Sequence, residues 1–351
     1  MREVVAEPPT RLLEVPPPAI DVGAASAIAA QYFGEVGRAT PLSSERDCNF
    51  LLATGAERLL LKISNPAEEP AAVDAQTRAL THIADKDPTL PVPRVRQTKS
   101  GEPWTYLPSP QGRLIARLLD FLPGQPLSGA PRSGTQRRGI GALLGRLNCA
   151  MRDFTHAGAE RPLLWDLSRT HELGGLLHHI ADGGRRAQVR RFLDRFASHA
   201  LPVLQNLRTQ VLHNDFNPHN LLVHTDAPDR ISGIIDFGDM VRGPLINDLA
   251  VAAAYHVPSD GPPLAQVVDL VTAYHSITPL QYEELGILPD LIAARQAITV
   301  IITAWRAALH PENAPYILRN APTAWHGLER LNTLPRGEAR AILRTACGMP
   351  A

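Results

Sequence analysis

Apolar residues in DVGAASAIAAQYFG recur at helical spacing, with Asp21 placed to cap the helix and Gly34 to stop it. From about Thr40 to Asn65 the pattern shortens to strands. CNFLLAT and RLLLKIS are two apolar runs joined by Gly55-Ala56-Glu57, which predicts a hairpin. Pro66, Glu68 and Glu69 then open an expected helix, PAEEPAAVDAQTRALTHIA, with its acids in the first turn, where the helix dipole favours them. LPVPRVRQT, WTYLP and RLIARLLDF predict further strands, and Pro123 to Gly134 is linker-like. Helical patterns follow in RRGIGALLGRLNCAMRDF, around HELGGLLHHI, and through VRRFLDRFASHALPVLQNL. A β-rich interlude, VLHNDFNPHNLLVHTDAPDRISGIIDFGD, interrupts them before helices resume near Leu245. The expected organisation is α+β with two lobes. A leader and helix span 1–39, a small β-rich N-lobe spans 40–122, and a larger, mainly helical C-lobe spans 123–351.

Composition narrows this picture without redirecting it. With 44% hydrophobic and 20% charged residues over 351 positions, the chain has the makeup of a soluble domain with a real core. Equal numbers of basic and acidic residues, 35 of each, leave no electrostatic footprint for nucleic acid or an anionic membrane. The first twenty residues, with Pro8, Pro9 and Pro16 to Pro18, read as an extended leader rather than a signal peptide. The strongest apolar run, Ala297 to Trp305, is far shorter than the ~20 residues of a membrane span. Cys48, Cys149 and Cys347 lie far apart with no CxxC spacing, which fits a reducing, cytoplasmic setting. Only three of the basic residues are lysines, Lys62, Lys86 and Lys99, so a lysine inside an apolar strand stands out.

The chemistry concentrates in VLHNDFNPHNLLV and the IIDFGD that follows it. His213, Asp215 and Asn220 form H-x-D-x-x-x-x-N between two apolar strands, and Ile234-Ile235 lead into Asp236-Phe237-Gly238. This two-part pattern is the kinase catalytic and metal-binding signature. Phosphoryl transfer needs a divalent cation, and hard Mg²⁺ takes oxygen ligands, so Asn220 and Asp236 are the expected metal ligands. Asp215 is then the expected acceptor of the attacking hydroxyl's proton. His213 is expected to brace the loop through a backbone hydrogen bond. A rival metal site would use His213, His219 and His224 with His178 and His179, but no HExxH or CxxC accompanies them. Lys62 interrupts the strand RLLLKI on the same face as Leu60, and an inward-facing ammonium needs an anion such as a nucleotide phosphate. The bland alternative is a solvent-facing edge lysine.

On LLLKIS, HNDFNPHN and IIDFGDMVRGPLINDLA the chain resembles the aminoglycoside phosphotransferase / choline kinase superfamily, a protein-kinase-like fold acting on small molecules. LSSERDCNFLL, KISNPAE, LPVPRV, LLDFLPGQPL and the WDL at Trp165 resemble its hydroxylysine kinase branch. The resemblance spans about Leu42 to Leu331. It implies that Lys62 contacts the α- and β-phosphates, Asp215 is catalytic, Asn220 and Asp236 bind magnesium, and Asp248 supports the catalytic loop. It also implies ATP or GTP as donor, with a hinge near Leu118 to Leu122. The first-choice acceptor is 5-hydroxy-L-lysine, with homoserine, choline or ethanolamine, and an aminoglycoside as alternatives. An inactive nucleotide-binding pseudokinase is the alternative of another class.

Two departures from the family pattern stand out. The phosphate-covering turn, Ser43-Ser44-Glu45-Arg46-Asp47, has no glycines, so Ser43 and Ser44 would serve the phosphates through hydroxyls and backbone N–H groups. The residue expected to pair with Lys62 is Gln76 rather than a glutamate, with Glu68 and Asp74 as possible substitutes. For an amine-bearing acceptor, Asp239, Trp165 and Asp166 are the candidate contacts, against the plainer roles of helix cap and packed tryptophan. Arg295 to Arg306, Trp305, Tyr316 and Trp325 read as core first and cleft second.

Overall fold

The computed structural model describes residues 15–44, 46–109 and 112–351. The start of the expected leader, with Pro8 and Pro9, and Glu45 of the covering turn lie outside the described residues. Helix α1, Val22–Ile28, is capped by the Asp21 side chain and continues as one π turn to Phe33, where Gly34 at φ 81° ends it. Strands β1 (Arg38–Leu42), β2 (Cys48–Ala53), β3 (Arg58–Ile63), β4 (Val95–Arg96), β5 (Thr105–Ser109) and β6 (Gly112–Asp120) form one antiparallel sheet in the order β1-β2-β3-β6-β4, with β5 also on β6. Strand alternation divides β3. Leu59, Leu61 and Ile63 point into a core with Phe50, Leu52, Leu107, Leu114 and Phe33. Leu60 and Lys62 point the other way, into the cleft. LPVPRVRQT yields only the short β4, because Pro91 and Pro93 have no N–H to give a ladder.

Helix α2, Pro70–Lys86, packs on the cleft side of the sheet, where its Gln76 and Leu80 line the cavity with Leu60 and Lys62. It begins four residues later than expected. The Asn65 side chain accepts from the N–H of Ala67, and the N–H of Glu68 bonds to the Asn65 carbonyl, which locks this stretch into a turn. Glu68 therefore lies outside the helix.

From β6 the chain passes directly into the second lobe through β7, Gln125–Pro126. Helix α3, Gly134–Ala150, is capped by Ser133. Leu167–His179 winds as 3₁₀ turns, not the expected α-helix, and paired Gly174 and Gly175 lie within it. Helix α4, Gly183–Arg195, slips into a π turn at Phe196–Ala200 before α5, Leu201–Leu204, where Pro202 withholds a donor from the ladder. Strands β8 (Thr209–Leu212), β9 (Leu221–Val223), β10 (Ile231–Ile234) and β11 (Val241–Pro244) make up the interlude. β9 pairs with β7 and β10, while β11, not foreseen as a strand, pairs with β8.

Helices α6 (Ile246–Ala254), α7 (Ala265–Ile277), α8 (Tyr282–Leu309), α9 (Ala314–Ile317), α10 (Ala321–Asn332) and α11 (Arg336–Ala346) complete the lobe. α3 and α7 approach so closely that a Cβ on Gly141 would meet the Leu270 carbonyl at 2.1 Å. α8 is apolar and long enough to cross a membrane, yet 94% of its most apolar window is buried inside the fold, so it is the lobe's central core helix.

At the end of α6, His256 is buried beside Arg132 and Arg137. Burial first, and these cations second, push its imidazole down to about 3. The folded state therefore holds His256 neutral while the unfolded chain takes up a proton below pH ~6.5, and stability falls as pH drops through that range. Between pH 7 and pH 5 this one group is expected to cost about 2 kcal/mol. Urea titrations at both pH values should show a shallower loss for His256→Gln; equal losses would mean the ring is protonated in the fold.

Candidate active site

Strand β8 delivers the chain into the loop 213–220, and one buried carboxylate shapes that loop. Asp248, in the first turn of α6, accepts from the backbone N–H of His213 at 3.2 Å and of Asn214 at 2.7 Å, and from the Asn148 amide at 2.8 Å. Burial raises its carboxyl above the ordinary range, with His213 opposing. Asn214 is thereby held at φ 63°, a left-handed conformation that asparagine tolerates better than most residues. The His213 Nε2 bonds the Ile235 carbonyl at 3.1 Å, and the N–H of Ile235 bonds the Asn220 carbonyl at 2.9 Å. These two bonds lock the segment before Asp236 onto the loop that carries Asp215 and Asn220.

Asp215, Asn220, Asp236 and Lys62 all line one cavity of about 660 Å³ between the lobes. The Asn220 amide nitrogen donates to Asp215 Oδ2 at 2.7 Å and to the Asp215 carbonyl at 3.0 Å, which directs its oxygen elsewhere. Asp236, at φ 61°, accepts from the N–H of Gly238 at 3.2 Å. Its Oδ1 lies 3.9 Å from the Lys62 ammonium. Burial works to raise the Asp236 carboxyl, but Lys62 and then Arg46 outweigh it and hold the group at about 2, fully ionised. An ionised carboxylate and an amide oxygen on one wall suit a hard divalent cation. The alternative histidine site has no such basis. Among the described residues no three or more His, Cys, Asp or Glu side chains gather to hold a metal.

Lys62 is buried and faces the cleft as expected, but its partners differ from those expected. Its ammonium reaches Asp47 Oδ2 at 3.5 Å as well as Asp236. Gln76 does not pair with it, because the Gln76 carbonyl oxygen accepts from buried Arg117. Of the two substitutes, Glu68 binds Arg161, and Asp74 is taken by Arg78, Trp104 and His156. The lysine-pairing carboxylate thus comes from the turn after β1, not from α2. Ser43 and Ser44 line the same cavity, with the Ser44 hydroxyl accepting from the N–H of Asp47 at 3.3 Å.

The three residues expected at an acceptor amine are largely engaged elsewhere. Asp166 caps the 3₁₀ segment by accepting from the N–H of Ser168 at 2.9 Å and is not on the cavity wall. Asp239 accepts from Arg46 Nη1 at 2.8 Å, so it is committed to that cation rather than presented to an amine. Trp165 lines the cavity but stacks on the Arg295 guanidinium at 4.9 Å. Arg295, expected in the core first and the cleft second, is both buried and on the cavity wall. From the middle of α8 its Nη2 donates to Asp215 Oδ1 at 2.7 Å and to the Tyr255 hydroxyl at 3.1 Å. Burial raises the Asp215 carboxyl while Arg295 opposes it. Arg306 and Tyr316 also line the cavity, whereas Trp305 packs in the core and Trp325 lies on another surface under Arg185.

The model of the phosphotransferase enzyme family (APH) matches residues 38–285. The hydroxylysine kinase of Bos taurus is 26% identical over 343 residues, covering 91% of each chain. The homoserine kinase of Rhizobium etli (strain CIAT 652) is 28% identical over 256 residues, covering 69% of this chain and 72% of that one. Among solved structures, amicoumacin kinase hAmiN in complex with AMP-PNP, Ca²⁺ and Ami superposes with a TM-score of 0.64 at 15% identity, over 85% of this chain and 89% of that one. The chain belongs to the phosphotransferase enzyme family and is a small-molecule kinase of protein-kinase-like fold.

Asp248→Ala would leave two buried backbone N–H groups and the Asn148 amide without an acceptor. At about 1–3 kcal/mol for each, the expected loss is roughly 3 kcal/mol or more, read as a fall in urea midpoint. A change below about 1 kcal/mol would show that the loop does not depend on this carboxylate.

Proposed function

We propose that this kinase transfers the γ-phosphoryl of ATP or GTP to the hydroxyl of a small, amine-bearing metabolite, with 5-hydroxy-L-lysine the first choice. The observation that carries the reading is the shared cavity that brings Asp215, Asn220, Asp236 and Lys62 together from distant parts of the sequence. Asp215 orients the acceptor hydroxyl and takes its proton. Lys62, oriented by Asp47, binds the α- and β-phosphates. Asn220 and Asp236 hold Mg²⁺, which neutralises phosphate charge when bound. Leu60, Leu119, Leu122 and Leu222 provide an apolar wall for the purine beside the connection between the lobes. The three free cysteines accord with a cytoplasmic site of action.

The 26% identity to a hydroxylysine kinase across 91% of both chains supports that acceptor. Homoserine is the second reading, supported by a homoserine kinase at 28% identity over a shorter span. Choline, ethanolamine and aminoglycosides follow. Loss of one of the four groups is the usual mark of an inactive pseudokinase, and the presence of all four on one cavity wall argues against that alternative.

A nucleotide-consumption screen over hydroxylated amines and amino acids, run with both ATP and GTP, identifies donor and acceptor. With the best pair, Asp215→Asn is expected to lower kcat by about 10²–10⁴-fold while nucleotide affinity stays within a few-fold. Asp236→Ala should instead abolish the Mg²⁺-dependence of nucleotide binding in calorimetry. Equal, small effects from both substitutions would contradict these assignments.

A further inference from the structure

Arg46 belongs to none of the roles assigned so far. It leaves the turn between β1 and β2 and crosses the cleft to Asp239, with Nη1 2.8 Å from Oδ1. The other end of its guanidinium lies against the Asp-Phe-Gly turn. A Cβ built on Gly238 would stand 3.1 Å from Arg46 Nη2 and 3.0 Å from Asp236 Oδ1. The guanidinium and the proposed metal-holding carboxylate therefore border the same glycine. The Arg46 side chain keeps 23% exposure and lines the cavity, so it is not sealed into a structural pair. Lys62 approaches Asp236 from the adjacent strand, already bracketed by Asp47. Two cations from the N-lobe thus meet beside one carboxylate of the C-lobe, Lys62 held by Asp47 and Arg46 by Asp239, where a polyphosphate would lie.

A turn without glycine cannot bring its backbone N–H groups onto phosphates as closely as a glycine-rich one. A planar guanidinium can take over that contact through two parallel N–H donors. We propose that Arg46 is the turn's phosphate contact. On entry of a nucleoside triphosphate its guanidinium leaves Asp239 and donates to the terminal phosphate. It then takes up charge as the bond from the γ-phosphorus to the bridging oxygen breaks and the bond to the acceptor oxygen forms. The hydroxyl proton passes to Asp215, and the electron pair of the broken bond stays on the departing diphosphate. Asp239 serves as the resting partner of Arg46. This assignment rests on the kinase reading of the site.

A simple latch between the lobes is the competing role, and the two partners of the pair tell the roles apart. Calorimetry with Mg²⁺ compares the imido-triphosphate and the diphosphate of whichever purine the wild type binds, alongside kcat at saturating acceptor. Arg46→Ala is expected to shrink the preference for triphosphate over diphosphate about tenfold and to lower kcat about a hundredfold or more. Arg46→Lys, which keeps a charge but not the fork, should fall between. Asp239→Asn, which frees the arginine, should keep both the preference and kcat. Matching losses in Arg46→Ala and Asp239→Asn would show a latch and overturn the proposal. An unchanged preference and kcat in Arg46→Ala would also overturn it. Failure of the wild type to bind either purine nucleotide would instead remove the kinase reading beneath it.

Discussion

The Asp248 carboxylate accepts two backbone N–H groups of the 213–214 segment deep in the C-lobe, and the geometry of the site descends from that contact. It holds Asn214 left-handed, which turns the chain so that Asp215 faces the cleft while His213 faces inward to the Ile235 carbonyl. That bond, with the one from Ile235 to Asn220, fixes the second loop against the first. Two non-glycine residues at positive φ, Asn214 and Asp236, flank this junction, and conformations of that kind cost about 1–3 kcal/mol each. The buried acceptor offsets part of that cost and keeps two loops in one register.

Charge is arranged with the same economy. Each carboxylate of the proposed reactive set has a cation beside it: Arg295 at Asp215 and Lys62 at Asp236. The partners come from different layers, Lys62 from the N-lobe sheet and Arg295 from the central helix α8. Of the two pairs, Lys62–Asp236 joins the lobes and Arg295–Asp215 lies within the C-lobe. Arg161 adds a second contact between the lobes by binding Glu68 of the N-lobe and the Gly238 carbonyl of the C-lobe at once.

The two loops and the strand lysine were legible in the sequence because each is a local pattern, polar residues at fixed spacing between apolar strands. Their partners were not. Asp47 sits only a few residues from the serines expected to serve phosphate, but its approach to Lys62 depends on the pairing of β2 with β3. Arg295 lies in an apolar helix where periodicity says core, and it is indeed buried; only the packing of α8 under the catalytic loop reveals its bond to Asp215. Gln76 occupied the family's expected position, yet Arg117 on the neighbouring strand claims its oxygen. Local structure failed at similar places. Bonds made by Asn65 delayed α2, and Pro202 broke the regularity of the helix after α4.

The central proposal is that Asn220 and Asp236 share one cation beside Lys62. Anomalous scattering from crystals grown with Mn²⁺ and an imido-triphosphate tests it most directly. The expected result is a manganese peak bridging the Asn220 amide oxygen and the Asp236 carboxylate, within the cavity that Lys62 lines. A peak confined to the histidines at 178 and 179, or none at Asp236 while nucleotide is bound, would contradict the account.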